Sequence, residues 1–128
     1  MIVYRIENSM GMGPWRSGAV ERAYNTAISE GSMCPSRHPC PHEDPGLSHI
    51  RVRPEHFFGF DSIDQYKRWF TTPGQRKSLA EKFEHRAITH VKLVMYNVPS
   101  ENVHVGKHQV IFTRDFIQKI GEFECDAV

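Results

Sequence analysis

No stretch of this sequence approaches the roughly 18 consecutive apolar residues of a membrane-spanning helix, so a helical membrane protein is not expected. Charge of one sign is not in excess either. Lysine and arginine number 16 against 15 acidic residues, and a formal net charge of +1 draws the chain neither to nucleic acid nor to an anionic membrane. Cysteine is scarce and odd in number. The opening residues MIVYRIEN are charged too early for a secretion signal, so Cys34, Cys40 and Cys125 read as free thiols or metal ligands, not as a disulfide framework. The expected setting is cytoplasmic. There is no internal repeat and no low-complexity tract, and the 39% apolar and 24% charged fractions are those of an ordinary soluble domain. Disorder is therefore not expected, and the 128 residues suit a single domain, 1–128, with a core of its own.

What is present is a strand-turn-helix signal at the centre of the chain. His56–Phe60 is a short aromatic run suited to a packed strand, with Gly59 where another backbone comes close. Ser62 and Gln65 then have capping-box spacing, and Ile63, Tyr66, Trp69 and Phe70 recur at helical intervals until Pro73-Gly74. Around this centre, Ile2–Glu7 alternates as a strand and Asn8–Gly18 turns the chain with three glycines and a proline. Ser17 caps a helix carrying Val20, Ala23, Tyr24, Ala27 and Ile28 that Gly31 ends. Ser32–Pro54 is a long Pro/His-rich loop, Gln75–Arg86 a second helix and Thr89–Val98 a strand covered on both faces. Val103–Phe112 reads as one further strand bent at Gly106, and Asp115–Ile120 as a short terminal helix capped by Thr113. Strands and helices mixed without a regular alternation point to an α+β fold, a small mixed sheet with three or four helices and one long loop.

Three sets of side chains carry candidate chemistry. The run CPSRHPCPH brings Cys34, His38, Cys40 and His42 into one loop, the residue types of a tetrahedral zinc site. Their spacing argues against it, because single residues between His38, Cys40 and His42 aim successive side chains apart. Beside them, His38, His42 and Asp44 are of the types that do acid-base work. A second set is Gly11-Met12-Gly13, which follows a strand and precedes a helix as phosphate-binding loops do, without the full dinucleotide or P-loop pattern. The third combines Tyr4, Arg5, Trp15, Arg16, Phe57, Phe58 and Phe60, aromatics and guanidiniums suited to stacking on a base while holding a phosphate. Arg51 and Arg53 alternate just ahead of the aromatic strand and share a face. Each set has a plainer structural reading, in core packing or a solvated loop.

Tyr4-Arg5, Gly13-Pro14-Trp15, His38-Pro39, Phe58-Gly59-Phe60 with Ser62 before a helix ending Trp69-Phe70, and Gly106 with Gln109-Val110-Ile111-Phe112 together resemble the layout of small uncharacterised bacteriophage-encoded proteins. That resemblance implies a role against, or in control of, a host system. The chain also resembles, more distantly, ADP-ribosyltransferases of the arginine-serine-glutamate type. There Arg5 would touch an NAD phosphate or ribose and Ser62 would mark a middle strand, while Gly106-Lys107-His108-Gln109 departs from the pattern by offering no catalytic acid. The resulting expectation is a counter-defence or host-control protein binding a nucleotide-like, NAD-derived or phosphorylated ligand through Tyr4, Arg5, Trp15, Arg16, His38, Phe58, Ser62 and Gln109. One alternative is a ligand-free inhibitor of a host defence protein such as a nuclease. Another is a zinc-stabilised interaction module, and self-association is compatible with each.

Overall fold

The computed structural model describes residues 1–7, 11, 13, 41–77 and 92–128. The expected helix from Ser17, and Trp15, Arg16, Cys34, His38 and Cys40, lie outside these residues. Two three-stranded antiparallel sheets form the frame, where a single mixed sheet was the expectation.

The first sheet holds β1 (Ile2–Glu7), β3 (Lys92–Asn97) and β6 (Gln118–Phe123) in the order β1-β3-β6. β1 and β3 run in full register from Ile2 opposite Asn97 to Glu7 opposite Lys92. Alternation therefore sets Val3, Arg5 and Glu7 on one face of β1, beside Tyr96 and Val94 of β3. The second sheet orders β2 (Phe57–Gly59), β5 (Val110–Phe112) and β4 (Val103–Val105) as β2-β5-β4. The two sheets meet where Tyr4 and Phe60 exchange backbone hydrogen bonds of 2.8 and 2.7 Å. Between them lies a core of Val3, Val94, Tyr96, Val98, Val110 and Phe112, with Met1, Phe57, Val103 and Ile117 packed at its margin. Gly59 meets the close approach expected of it, since a Cβ there would stand 2.7 Å from both the Tyr4 carbonyl oxygen and a Val3 methyl.

The central helix α1 (Ile63–Trp69) begins where the capping signal put it: Ser62 Oγ accepts from the Gln65 amide at 3.1 Å. The Gln65 side chain reaches back one residue further than a capping box requires, accepting from the Asp61 amide at 2.8 Å. Tyr66, Trp69 and Phe70 gather around Phe60 with ring centroids 5.5–6.5 Å from it. Tilted and edge contacts of this kind add about 0.5–1.5 kcal/mol a pair beyond area burial. A second helical stretch starts at residue 73, two residues before the expected Gln75. Thr72 and Gln75 cap each other reciprocally, at 3.1 and 3.2 Å, and Pro73 takes the first helical position, where its missing N–H costs nothing. Pro73 thus opens one helix instead of merely ending the last.

Two expectations toward the C-terminus are corrected. Val103–Phe112 is not one bent strand but a hairpin, β4 and β5, in which Val103 faces Phe112 and Val105 faces Val110. The terminal helix over Asp115–Ile120 is absent; this stretch is a turn leading into β6. Phe116 takes a left-handed backbone with φ 60°, which no helix continues, and Gln118–Phe123 finds a ladder of partners in β3. The described residues accordingly hold two helices, fewer than the three or four expected, within the expected α+β class.

Candidate functional site

Where the two sheets close on each other, the face of β1 carries a buried charge cluster. Arg5 is 2% exposed; its Nε donates to Glu7 Oε2 at 3.1 Å and its Nη1 to the Phe58 carbonyl at 2.7 Å. Arg114, just beyond β5, donates to the same Glu7 oxygen and to the Gly11 carbonyl, both at 2.8 Å. Tyr96 hydroxyl donates to the other Glu7 oxygen. Phe57 takes both guanidiniums, with Arg114 Cζ 4.2 Å and Arg5 Cζ 5.1 Å from its ring centroid. Burial pulls the Arg5 guanidinium down to about 10, Glu7 opposes that shift and the like charge of Arg114 adds to it. Burial first, then the bond to Glu7, pushes the Tyr96 phenol up, so it stays a proton donor.

Two cations on one carboxylate, with every oxygen taken, make a structural lock between the sheets. The signal for half of it was present: Arg5 and Glu7 are two residues apart on a strand and so share a face. Arg114 gave no such signal, lying 107 residues from Glu7.

A second lock fixes the β4–β5 turn. Asp44 is fully buried and its carboxylate accepts from the amides of Lys107 at 2.7 Å, His108 at 2.8 Å and Gly46 at 3.0 Å. Burial alone raises its carboxyl; the three amides, His108 first, outweigh that and hold it below the usual value. From the other side, Gln65 Nε2 donates to the Lys107 carbonyl at 3.3 Å and Trp69 Nε1 to the His108 carbonyl at 2.8 Å. Gly106 is needed there, because a Cβ would stand 2.6 Å from Asp44 Oδ2 and 2.7 Å from the Gln109 carbonyl oxygen. Asp44, read from sequence as a candidate for acid-base work, is thus engaged by three backbone amides, while His42 stands exposed.

The remaining sequence candidates are distributed as follows. Tyr4 is half-buried and contributes its backbone to the sheet junction; Phe58 lends its carbonyl to Arg5; Ser62 caps α1; and Gln109 is buried, its carbonyl accepting from Gly106 at 2.8 Å. Tyr4, Arg5 and Phe58 therefore come together, and Ser62 stands on a helix cap, not on the middle strand the transferase likeness required. No group of three or more His, Cys, Asp or Glu side chains among the described residues is placed to hold a metal ion. Cys125 is a buried thiol pushed up to about 12 by burial, which leaves it inert. No helix among them is long and apolar enough to cross a membrane.

Two features stand outside these locks. Phe116 is 92% exposed on the β5–β6 turn, and sequence reading missed it by placing it in a helix. Residues Arg51–Glu55 line an open groove of about 500 Å³ ahead of β2 in the chain.

Fold and side chains together define a small α+β protein of two locked antiparallel sheets. The chain belongs to the bacteriophage T4 Y00F protein family, whose model it matches over residues 1–126. It is thus a phage-encoded protein, as its layout suggested. No curated protein and no solved structure matches it, and the likeness to ADP-ribosyltransferases finds no support.

Proposed function

We propose that this phage protein works by docking on a protein of the host cell, with Phe116 as the anchor of the contact. The observation that carries the reading is Phe116 itself, a phenyl ring 92% exposed on a backbone with φ 60°. A ring left in water forgoes about 1.5–3 kcal/mol of burial, and a left-handed backbone at a bulky residue costs about 1–2 kcal/mol more. Such a position makes sense where a partner covers the ring, since buried aromatic anchors dominate protein interfaces. Ile120, 44% exposed on β6, is a second exposed apolar side chain in the same stretch, and the exposed Asp115 and Lys119 adjoin these two in sequence with charges of both signs. A host defence protein such as a nuclease is the first partner to try.

Affinity capture from host lysate tests the reading, using wild type, Phe116→Ala and, as a surface control on α1, Arg68→Ala. A partner held by wild type and by Arg68→Ala should bind Phe116→Ala about 2 kcal/mol more weakly, roughly thirtyfold in Kd. Equal retention on wild type and Phe116→Ala refutes it. The nucleotide-like ligand expected from sequence draws its support from a different place, the groove at Arg51–Glu55.

A further inference from the structure

We infer that the groove lined by Arg51–Glu55 is a nucleotide site in which Arg51 and Arg53 hold the phosphate groups. This goes beyond the docking reading and is independent of it. The segment belongs to no helix or strand, yet it is fastened at both ends. Upstream, the Ile50 amide donates to the carbonyl of the fully buried Leu47 at 2.9 Å, and the Leu47 amide donates to the Asp44 carbonyl at 2.9 Å. Downstream, the Arg53 amide donates to His56 Nδ1 at 2.9 Å while the His56 amide donates to the Arg53 carbonyl at 3.0 Å. The buried His56 ring stands edge-on to His104 of β4, 6.0 Å between centroids. Residues 51–53 are therefore an open stretch on a fixed backbone, already ordered before anything binds.

The side chains along it alternate in character. Arg51, Arg53 and Glu55 are charged, while Val52, 42% exposed, and Pro54 are apolar. Both guanidiniums are exposed, and neither takes part in an ion pair among the described residues, unlike Arg5 and Arg114. Two residues apart on the same open stretch, their planar forks are close enough in the chain to serve one polyphosphate. A volume of about 500 Å³ suits a mononucleotide. Glu55 disfavours a bare anion but accepts from a ribose hydroxyl or a base amino group, which selects a nucleotide over inorganic phosphate. The chain carries a net charge of only +1, which favours a free nucleotide over a nucleic acid strand.

Calorimetric titration of the full chain with ADP, adenosine, pyrophosphate and an oligo(dT) strand tests this. Wild type should bind ADP saturably and more tightly than pyrophosphate, with adenosine about tenfold weaker or worse, and affinity should fall with added salt. The Arg51→Gln/Arg53→Gln variant alters only exposed side chains, so it should fold as wild type by circular dichroism and lose ADP binding about tenfold or more. Phe116→Ala should bind ADP as wild type does, which separates this site from the docking surface. No saturable ADP binding, unchanged binding by the double variant, or tighter binding of oligo(dT) than of ADP would each overturn the assignment.

Discussion

Replacing Phe116 by glycine should make the protein more stable, an unusual outcome for deleting a phenylalanine. At 92% exposure the ring contributes almost nothing to the folded core, so truncation forfeits little burial. The backbone at φ 60° is what the substitution relieves. A bulky residue there costs about 1–2 kcal/mol, glycine carries no such penalty, and the greater freedom of glycine in the unfolded chain takes back about 0.4–1 kcal/mol. The net gain is about 1 kcal/mol, or about 3–5 °C in Tm for a domain of this size. Alanine keeps the strain and should lie within about 0.5 kcal/mol of wild type, with asparagine, which tolerates this conformation, between the two. Urea unfolding of the three variants measures the series. A glycine variant no more stable than the alanine variant refutes the assignment of strain. If the docking reading also holds, Phe116→Gly gains stability while losing the partner, so one substitution moves two readouts in opposite directions.

Two further perturbations test the locks. Asp44→Asn should cost about 2–3 kcal/mol at neutral pH, because one amide oxygen cannot serve three backbone N–H groups. Asp44 has a folded value below its ordinary 3.8, so its charge stabilises above 3.8 and that contribution is lost as pH falls through the lowered value. The gap between wild type and variant should therefore narrow in acid, and a gap constant from pH 7 to pH 2 would contradict it. Glu7→Gln leaves two guanidiniums facing each other at the sheet junction and should cost about 3–5 kcal/mol by urea unfolding. A cost under about 1 kcal/mol would show that the cluster does not hold the sheets together.

What was legible in the sequence was what is decided locally. Ile2–Glu7 carries its own alternation, and Ser62, Gln65, Tyr66, Trp69 and Phe70 specify α1 within nine residues, so both elements stand where the residues put them. β6 was not legible, because nothing in Gln118–Phe123 names its partner; the ladder that overrides local helical preference comes from Lys92–Asn97. Gly106 was recognised as a special position and misread as a bend, since the group that requires it, the Asp44 carboxylate, lies 62 residues earlier in the chain. Arg5 was read as a ligand contact on the first strand, where the structure buries it against Glu7. Its role turned on Arg114 and on the Phe58 carbonyl, both fixed only by the closing of two sheets. Phe116 was hidden by an apparently helical run, and its backbone conformation and exposure, both settled by the fold, are what set it apart.

The tip of a hairpin is ordinarily where a sheet breathes first, and its amide hydrogens trade with solvent within moments. Here the Lys107 and His108 amides are held by Asp44, and their carbonyls by Gln65 and Trp69, across separations of 39 to 64 residues. Those amides cannot open without undocking both α1 and the 41–50 segment, so in deuterium oxide they should exchange as slowly as the interior strands, by whole-molecule unfolding. The same distances mean that the tip's bonds are long-range ones, even though β4 and β5 are neighbours in sequence. A four-residue turn thereby reports on the whole molecule, since its protection depends on elements far from it in the chain.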